Sequence, residues 1–238
     1  MVRYFTKITA LTAMICLSVL AAQAQVGYNY DKLDLGVSGI ANAVYGDAEK
    51  VKYTGSGALH LTYSPVSPFI NYVLEFQAGT LAGGDSVNSR SGRQFKNTYV
   101  AFVGRVQVQA GEFIDYTDSP LGNVLKNVYL SAGVGAVKND IKEISRTSNT
   151  IAGFYTPGKD KSTEFFIPTR IGYEFKLFND YNEPSVKIDF GYQVNFMMGE
   201  NLDGFAAGSR KDVWNQVFLG VKFAIGGNTS YRKPISSY

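Results

Sequence analysis

Residues 185–198 read Ser185-Val186-Lys187-Ile188-Asp189-Phe190-Gly191-Tyr192-Gln193-Val194-Asn195-Phe196-Met197-Met198. Val186, Ile188, Phe190, Tyr192, Val194 and Phe196 share one parity, and Lys187, Asp189, Gln193 and Asn195 share the other. A β-strand turns successive side chains to opposite faces, so this stretch is a strand with one large greasy face and one wet, charged face.

Seven further segments repeat the pattern: Leu33–Tyr45, Gly57–Tyr63, Phe69–Leu81, Thr98–Gln109, Asn127–Val137, Phe165–Phe178 and, after the opening stretch, Asp212–Ile225. In Phe69–Leu81 the apolar set Ile70, Tyr72, Leu74 and Phe76 opposes Asn71, Glu75 and Gln77. In Phe165–Phe178, Ile167, Ile171, Tyr173 and Phe175 oppose Arg170, Glu174 and Lys176. Pro65-Val66-Ser67-Pro68 is expected to be a tight turn, since proline cannot donate to a central ladder. Ser119-Pro120 has the form of a helix start, serine as cap and proline in the first turn, with a short helix to about Lys126. Connections after the first, third, fifth and seventh strands are long and polar. Those after the second and sixth are short, and an insertion over residues 110–126 follows the fourth.

The chain opens with Arg3 and Lys7, an apolar run over Ile8–Ala22, and the small-x-small site Ala22-Gln23-Ala24, which is the pattern of a cleaved secretory signal over 1–24. The mature chain, 25–238, is then one barrel domain with a short tail after about residue 226. The single cysteine, Cys16, falls in the signal, so the mature chain has no disulfide, thiol nucleophile or thiolate metal site. Lys and Arg number 23 against 20 acidic residues, and loss of Arg3 and Lys7 brings the balance close to neutral. That gives no reason to expect a nucleic-acid partner.

After the signal there is no helical membrane span, and a spanning chain built of strands must close, because an open edge would leave unpaired backbone groups in lipid. The fold class expected is therefore all-β: an eight-stranded antiparallel up-and-down transmembrane β-barrel in the cell outer membrane, aromatic residues outward and polar residues inward. Short turns and termini would face the periplasm and the long loops the exterior. The inward set carries Asp34, Glu75, Arg105, Arg170, Glu174, Lys176, Lys187, Asp189 and Lys222. Eight strands leave an interior just wide enough for side chains to fill, and a buried charge without a partner is very costly. These nine residues are read as a lumen ion network that plugs and rigidifies the barrel, with a charge-selective pore as the alternative. Inward glycines, given as Gly36, Gly104, Gly172, Gly191 and Gly220, would leave room for the long basic side chains.

His60, the only histidine, is read as a structural, hydrogen-bonded group rather than a catalytic base, since no serine motif accompanies it. Neither Gly83-Gly84-Asp85 nor Gly199–Gly204 has EF-hand spacing, and both are read as turns. No catalytic, cofactor-binding or metal residue is assigned, and no cofactor is expected. The stretch Lys138–Ser162 holds Ile141, Ile144, Ile151, Phe154 and Tyr155, unusual for a solvated loop. It is expected to extend the fifth and sixth strands as a protruding hairpin that buries some of these residues against each other and offers a sheet edge to a partner, with a disordered loop, favoured by the Ser, Thr, Asn and Gly around Ser145–Gly153, as the alternative.

The chain resembles the outer-membrane β-barrel domain proteins of Bacteroidota, a porin-family set within the eight-stranded OmpA/OmpX-like group. The resemblance rests on Leu74-Glu75-Phe76-Gln77-Ala78-Gly79, on Phe95-Lys96-Asn97-Thr98-Tyr99, on Asn127–Gly135 and on Ile167-Pro168-Thr169-Arg170-Ile171-Gly172-Tyr173. Gly220-Val221-Lys222-Phe223-Ala224-Ile225 is similar to the terminal-strand signal read by the barrel-assembly machinery, with the departure that a tail follows it. The resemblance implies architecture and no shared catalytic residue. Function is accordingly expected to be that of a monomeric structural or surface-interaction protein, not an enzyme. Its partners would be outer-membrane lipid, the assembly machinery during biogenesis, and an external protein or glycan ligand at the loops. A small passive or gated pore is the alternative, and a lipid-modifying membrane enzyme ranks last.

Overall fold

The computed structural model describes residues 27–116, 119–181, 183–207 and 211–232; the export signal expected over 1–24 lies outside the described residues. The strands are β1 (Gly27–Asp31), β2 (Leu33–Tyr45), β3 (Thr54–Ser67), β4 (Ile70–Gly84), β5 (Gln94–Gln109), β6 (Val128–Ser145), β7 (Lys161–Phe178), β8 (Pro184–Met197), β9 (Val213–Ala224) and β10 (Asn228–Arg232). β2 to β9 form a closed eight-stranded antiparallel barrel in chain order, and β2 pairs with both β3 and β9, so the wall has no free edge.

Alternation decides which way each strand faces. In β8, Lys187, Asp189, Gln193 and Asn195 are buried while Phe190, Tyr192 and Phe196 are exposed. The same holds around the wall: Leu35, Val37, Leu59, Leu74, Phe76, Phe102, Leu130, Ile171, Leu219 and Phe223 are 47–64% exposed. A continuous exposed apolar belt over a charged, buried interior inverts the usual soluble sheet.

Two local expectations change. Residues 65–67 stay in β3, and the turn is Pro68-Phe69; Pro65 is tolerated because the β3–β4 register shifts between Tyr63 and Ser67, where the ladder is already interrupted. Gly104 is outward beside Leu74, whereas Gly36, Gly172, Gly191 and Gly220 do face inward, against His60, Tyr129, Phe218 and Ser38. Gly104 follows the parity of Phe102 and Val106, with buried Val103 and Arg105 on either side. Pro168 sits in mid-strand, and the β6–β7 ladder skips from Ala132↔Thr169 to Gly135↔Phe166 where it cannot donate.

The end bearing the termini is closed off by elements outside the barrel wall. β1 and β10 pair antiparallel from Gly27↔Arg232 to Asp31↔Asn228, so residues 228–232 form a paired strand. The insertion after β5 forms a 3₁₀ turn (Ala110–Glu112) and helix α1 (Pro120–Leu125), capped by Ser119 Oγ accepting the Gly122 N–H at 3.2 Å. Together they bring Tyr30, Phe69 and Tyr116 into one buried cluster with Tyr231 and Phe178 alongside. Phe69 meets Tyr116 and Tyr231 edge-on, with ring centroids 5.5 and 5.7 Å apart.

Candidate functional site

The barrel interior is layered along its axis. Nearest the termini, Lys187 Nζ lies 2.6 Å from Asp34 Oδ2. Lys222 Nζ sits between Glu174 Oε2 at 2.8 Å and Asp189 Oδ2 at 2.9 Å. Tyr129 donates to the other Asp189 oxygen at 2.7 Å. Lys176 donates to Gln109 at 2.9 Å and stands 3.8 Å from Glu174. A second cluster centres on Glu75, which is held by Arg105 at 2.8 Å and Arg170 at 3.0 Å. Arg170 also donates to Gln193 at 2.6 Å and lies 3.9 Å over the Phe218 ring. All nine charged residues singled out in the sequence are thus buried. Their ion pairs form three sets: Asp34 with Lys187, Glu174 and Asp189 with Lys176 and Lys222, and Glu75 with Arg105 and Arg170.

Above the charges runs an amide layer. Gln216 donates to Asn42 at 2.9 Å and Gln77 at 3.0 Å, and accepts from Gln193 and Asn195 at 2.8 and 3.0 Å. Asn42 also accepts from Trp214 Nε1 at 3.1 Å. Then the interior turns apolar: Trp214 packs edge-on against Tyr99 at 4.8 Å and tilted against Phe166 at 5.7 Å, with Val103, Val137 and Met197 in the same cluster. Sequence reasoning missed this aromatic floor, although Trp214 and Phe218 share the inward parity of Gln216 and Lys222.

The described parts of the four longer connections fold into the mouth above it. Leu202 and Phe205, from the 198–212 loop, are fully buried, with Phe205 edge-on to Phe95 at 6.3 Å. Arg93 ties three loops together, donating to the Asp47 carbonyl at 3.1 Å and Thr156 Oγ1 at 3.2 Å and lying 5.9 Å from the Phe205 ring. Asn149 donates to the Ser86 and Ser89 carbonyls, and Glu49 accepts the Arg90 and Ser91 N–H groups.

The protruding hairpin expected over 138–162 is altered. β6 remains paired to β5 as far as Gln94↔Ser145, so β5 covers one of its edges. Ile141 and Ile144 lie against the 202–205 segment; an added Cβ at Gly204 would meet both. Ile151, Phe154 and Tyr155 stay 47–62% exposed at the tip, on a small hairpin closed by Thr147↔Tyr155. The apolar residues therefore divide between the mouth and the surface instead of burying each other.

Two carboxyls that sequence reasoning did not single out, Asp203 and Asp212, meet at the root of the 198–212 loop, with Asp47 beside them. Asp203 accepts the Asp47 N–H at 2.8 Å and the Phe205 N–H at 2.9 Å, and Asp212 accepts the Leu202 N–H at 3.2 Å. A Cβ on Gly46 would touch both Asp203 and Asp212, which shows how closely the two carboxyls approach. Burial raises both above the ordinary carboxylate range; the Asp203 charge raises Asp212 further, and the Asp47 charge raises Asp203. Asp85 forms a turn instead, accepting from Val87 and Asn88 N–H, with Lys50 at 2.7 Å. Among the described residues no group of three or more His, Cys, Asp or Glu is placed to hold a metal ion.

His60 is buried in the charged layer, with Ser38 Oγ 3.4 Å from its Nδ1 and, among the described residues, no hydrogen-bond partner at Nε2. Glu75, its register neighbour, has both oxygens engaged by arginine. A carboxylate so occupied does not orient His60 as a base.

No protein-family model matches the chain, and no curated protein matches it. Among solved structures the chain is similar to Neisserial surface protein A, with 12% identity over 82% of this chain and 97% of that one and a TM-score of 0.43. It is also similar to Ail, the attachment invasion locus protein of Yersinia pestis, with 11% identity over 85% and 99% and a TM-score of 0.44. A third similarity is to the outer membrane protein OprG from Pseudomonas aeruginosa, with 11% identity over 82% and 98% and a TM-score of 0.38. The assignment to a closed eight-stranded barrel rests on the strand pairing of this chain itself.

Proposed function

We propose that this chain is a monomeric integral protein of the bacterial outer membrane, exported by a cleaved signal over 1–24 and displaying its folded outer loops to the surroundings. The observation that carries the reading is the inverted wall: an apolar exposed parity around a closed barrel whose buried parity is charged and ion-paired. Lipid is the solvent that suits such an exterior, and a closed strand barrel is the one non-helical structure that satisfies its backbone there. In this orientation the loops at 46–53, 85–93, 146–160 and 198–212 are external, and the β1–β10 ribbon and the insertion are periplasmic. The OmpA/OmpX-like Bacteroidota group is the family proposed, with the assembly machinery reading β9.

The function is structural and surface-interacting. The ion pairs, the amide layer and the Tyr99–Phe166–Trp214 layer act as a plug, and the exposed Ile151, Phe154 and Tyr155 offer a contact for an external protein or glycan. No enzymatic role is assigned. A small gated pore is a second reading, favoured by Thr62 Oγ1, Arg105 Nε and both Gln107 amide atoms, which are buried without hydrogen-bond partners among the described residues. Such groups are commonly served by buried water. The test is refolding into phosphatidylcholine vesicles, electrophoresis with and without boiling, and single-channel recording. A heat-dependent mobility shift with no steady current is expected. Steady nanosiemens conductance would replace the plug with the pore, and absence of insertion would overturn the membrane reading.

A further inference from the structure

Two glycines on the outer face of the barrel have no internal reason to be glycine. A Cβ built on Gly39 in β2 or Gly55 in β3 meets nothing within 4 Å among the described residues, and neither has a positive φ. The inward glycines contrast: a Cβ at Gly36 would lie 2.2 Å from His60 Nε2, and one at Gly172 would lie 2.6 Å from the Tyr129 ring. Glycine weakens a strand interior, and where no bulge or packing demands it, it marks a place that something approaches from outside.

The register shows what these residues leave open. Gly39 lies between Leu219 of β9 and Gly57 of β3, and Ala41 between Val217 and Gly55. Small side chains thus lie abreast, with the exposed Val217 and Leu219 on one side and Tyr53, 80% exposed, on the other. Between them is an apolar groove of about 510 Å³, within the usual range of small-ligand sites. Lys52 adjoins Tyr53, and Lys211 precedes β9; both are exposed, and neither joins an ion pair among the described residues.

We propose that this groove is a lipid site, in which one acyl chain of a phosphate-bearing outer-leaflet lipid lies over Gly39, Ala41 and Gly55 while Lys52 and Lys211 hold its headgroup. The proposal rests on the membrane reading above. Charge selects the occupant: a second copy docked by two-fold symmetry would set these lysines against their own counterparts, whereas an anionic headgroup complements them. Tyr53 has the amphipathic ring suited to the boundary between chain and headgroup.

The test is native mass spectrometry of the full chain, extracted with mild detergent from phosphatidylcholine vesicles containing a minor fraction of phosphatidic acid. The unmodified protein, Gly39→Val with Gly55→Val, and Lys52→Gln with Lys211→Gln are compared. The unmodified barrel should retain one phosphatidic acid, preferred over phosphatidylcholine by about tenfold or more. Filling the groove should remove that adduct, and removing the lysines should abolish the headgroup preference. Unchanged adducts in the valine variant, or a lipid-free dimer dispersed by it, would overturn the site. The heat-dependent mobility shift, measured on all three, separates this failure from failure of the membrane reading: a shift without the adduct sinks the groove alone.

Discussion

Glu75 is the residue on which one of the charged clusters turns. It neutralises two guanidinium groups, Arg105 and Arg170, so the consequences of mutation are asymmetric. Glu75→Gln leaves two buried cations facing a neutral amide and should cost about 3–5 kcal/mol, the range for breaking a buried pair. Arg170→Met leaves Glu75 still paired to Arg105 and should cost less, about 1–3 kcal/mol from the orphaned Gln193 acceptor and the lost packing on Phe218. Urea unfolding in vesicles ranks the two; an equal or reversed order would contradict the shared-carboxylate geometry. Asp203 and Asp212, both raised by burial, should make the loop that carries them pH-sensitive. Their raised values mean that the folded loop binds more protons than the open loop between the ordinary and raised ranges. The loop should therefore tighten as pH falls from mildly alkaline to mildly acidic, with the gain complete below the ordinary carboxylate range. Asp47 opposes ionisation of Asp203 and Arg93 assists it. Amide exchange at Leu202–Phe205, corrected for intrinsic rate, should show greater protection in acid, and Asp212→Asn should flatten the dependence.

At the scale of elements, the weak seam of the wall is β6–β7. Pro168 removes one donor, and the ladder opens opposite Gly133 and Val134. Pro168→Val restores an N–H in an extended strand and should stabilise the barrel by about 0.5–1.5 kcal/mol, one net hydrogen bond. An unchanged unfolding midpoint would mean that the gap has another cause. The 198–212 loop is an element of the core as much as of the surface, because Phe205 is fully buried among Phe95, Leu81 and Trp214. Phe205→Ala should cost the folded mouth about 3–5 kcal/mol, as for other large buried aromatics. Protection at Asn97, whose side chain donates to the Leu202 carbonyl at 2.9 Å, should outlast protection in the loop. Parity along each strand made the eight wall elements readable, and Ser119-Pro120 made α1 readable. The extensions of β4, β5 and β6 beyond the alternating stretches were not, because there the outer face meets water and other loops and the apolar signal fades.

For the whole molecule, both ends of the barrel are built from parts distant in sequence. The termini end joins β1, Pro68-Phe69, the insertion after β5 and β10; the other joins all four longer loops through Arg93, Asp47, Thr156 and Phe205. Truncation after residue 226 should leave the closed barrel, since the pairings of β2 to β9 do not use β10. It should nonetheless expose Tyr30 and Phe69 and lower the unfolding midpoint, which circular dichroism with urea would report. Loss of the barrel signal itself would show that the ribbon is needed for closure.

What the sequence by itself determined was the sidedness of eight strands, and through it the inverted barrel and the inward placement of all nine charged residues. A strand has period two, so one residue type every second position settles its face without reference to any neighbour. Which charge meets which was decided only by the tertiary structure. So were the aromatic layer of Tyr99, Phe166 and Trp214, the approach of Asp203 to Asp212 and the pairing of the two terminal segments. These depend on the stagger of strands around a closed wall and on loops returning across the mouth. Contacts of that kind join residues such as Asn42 and Trp214 that share no local pattern, and closure alone brings them within 3.1 Å.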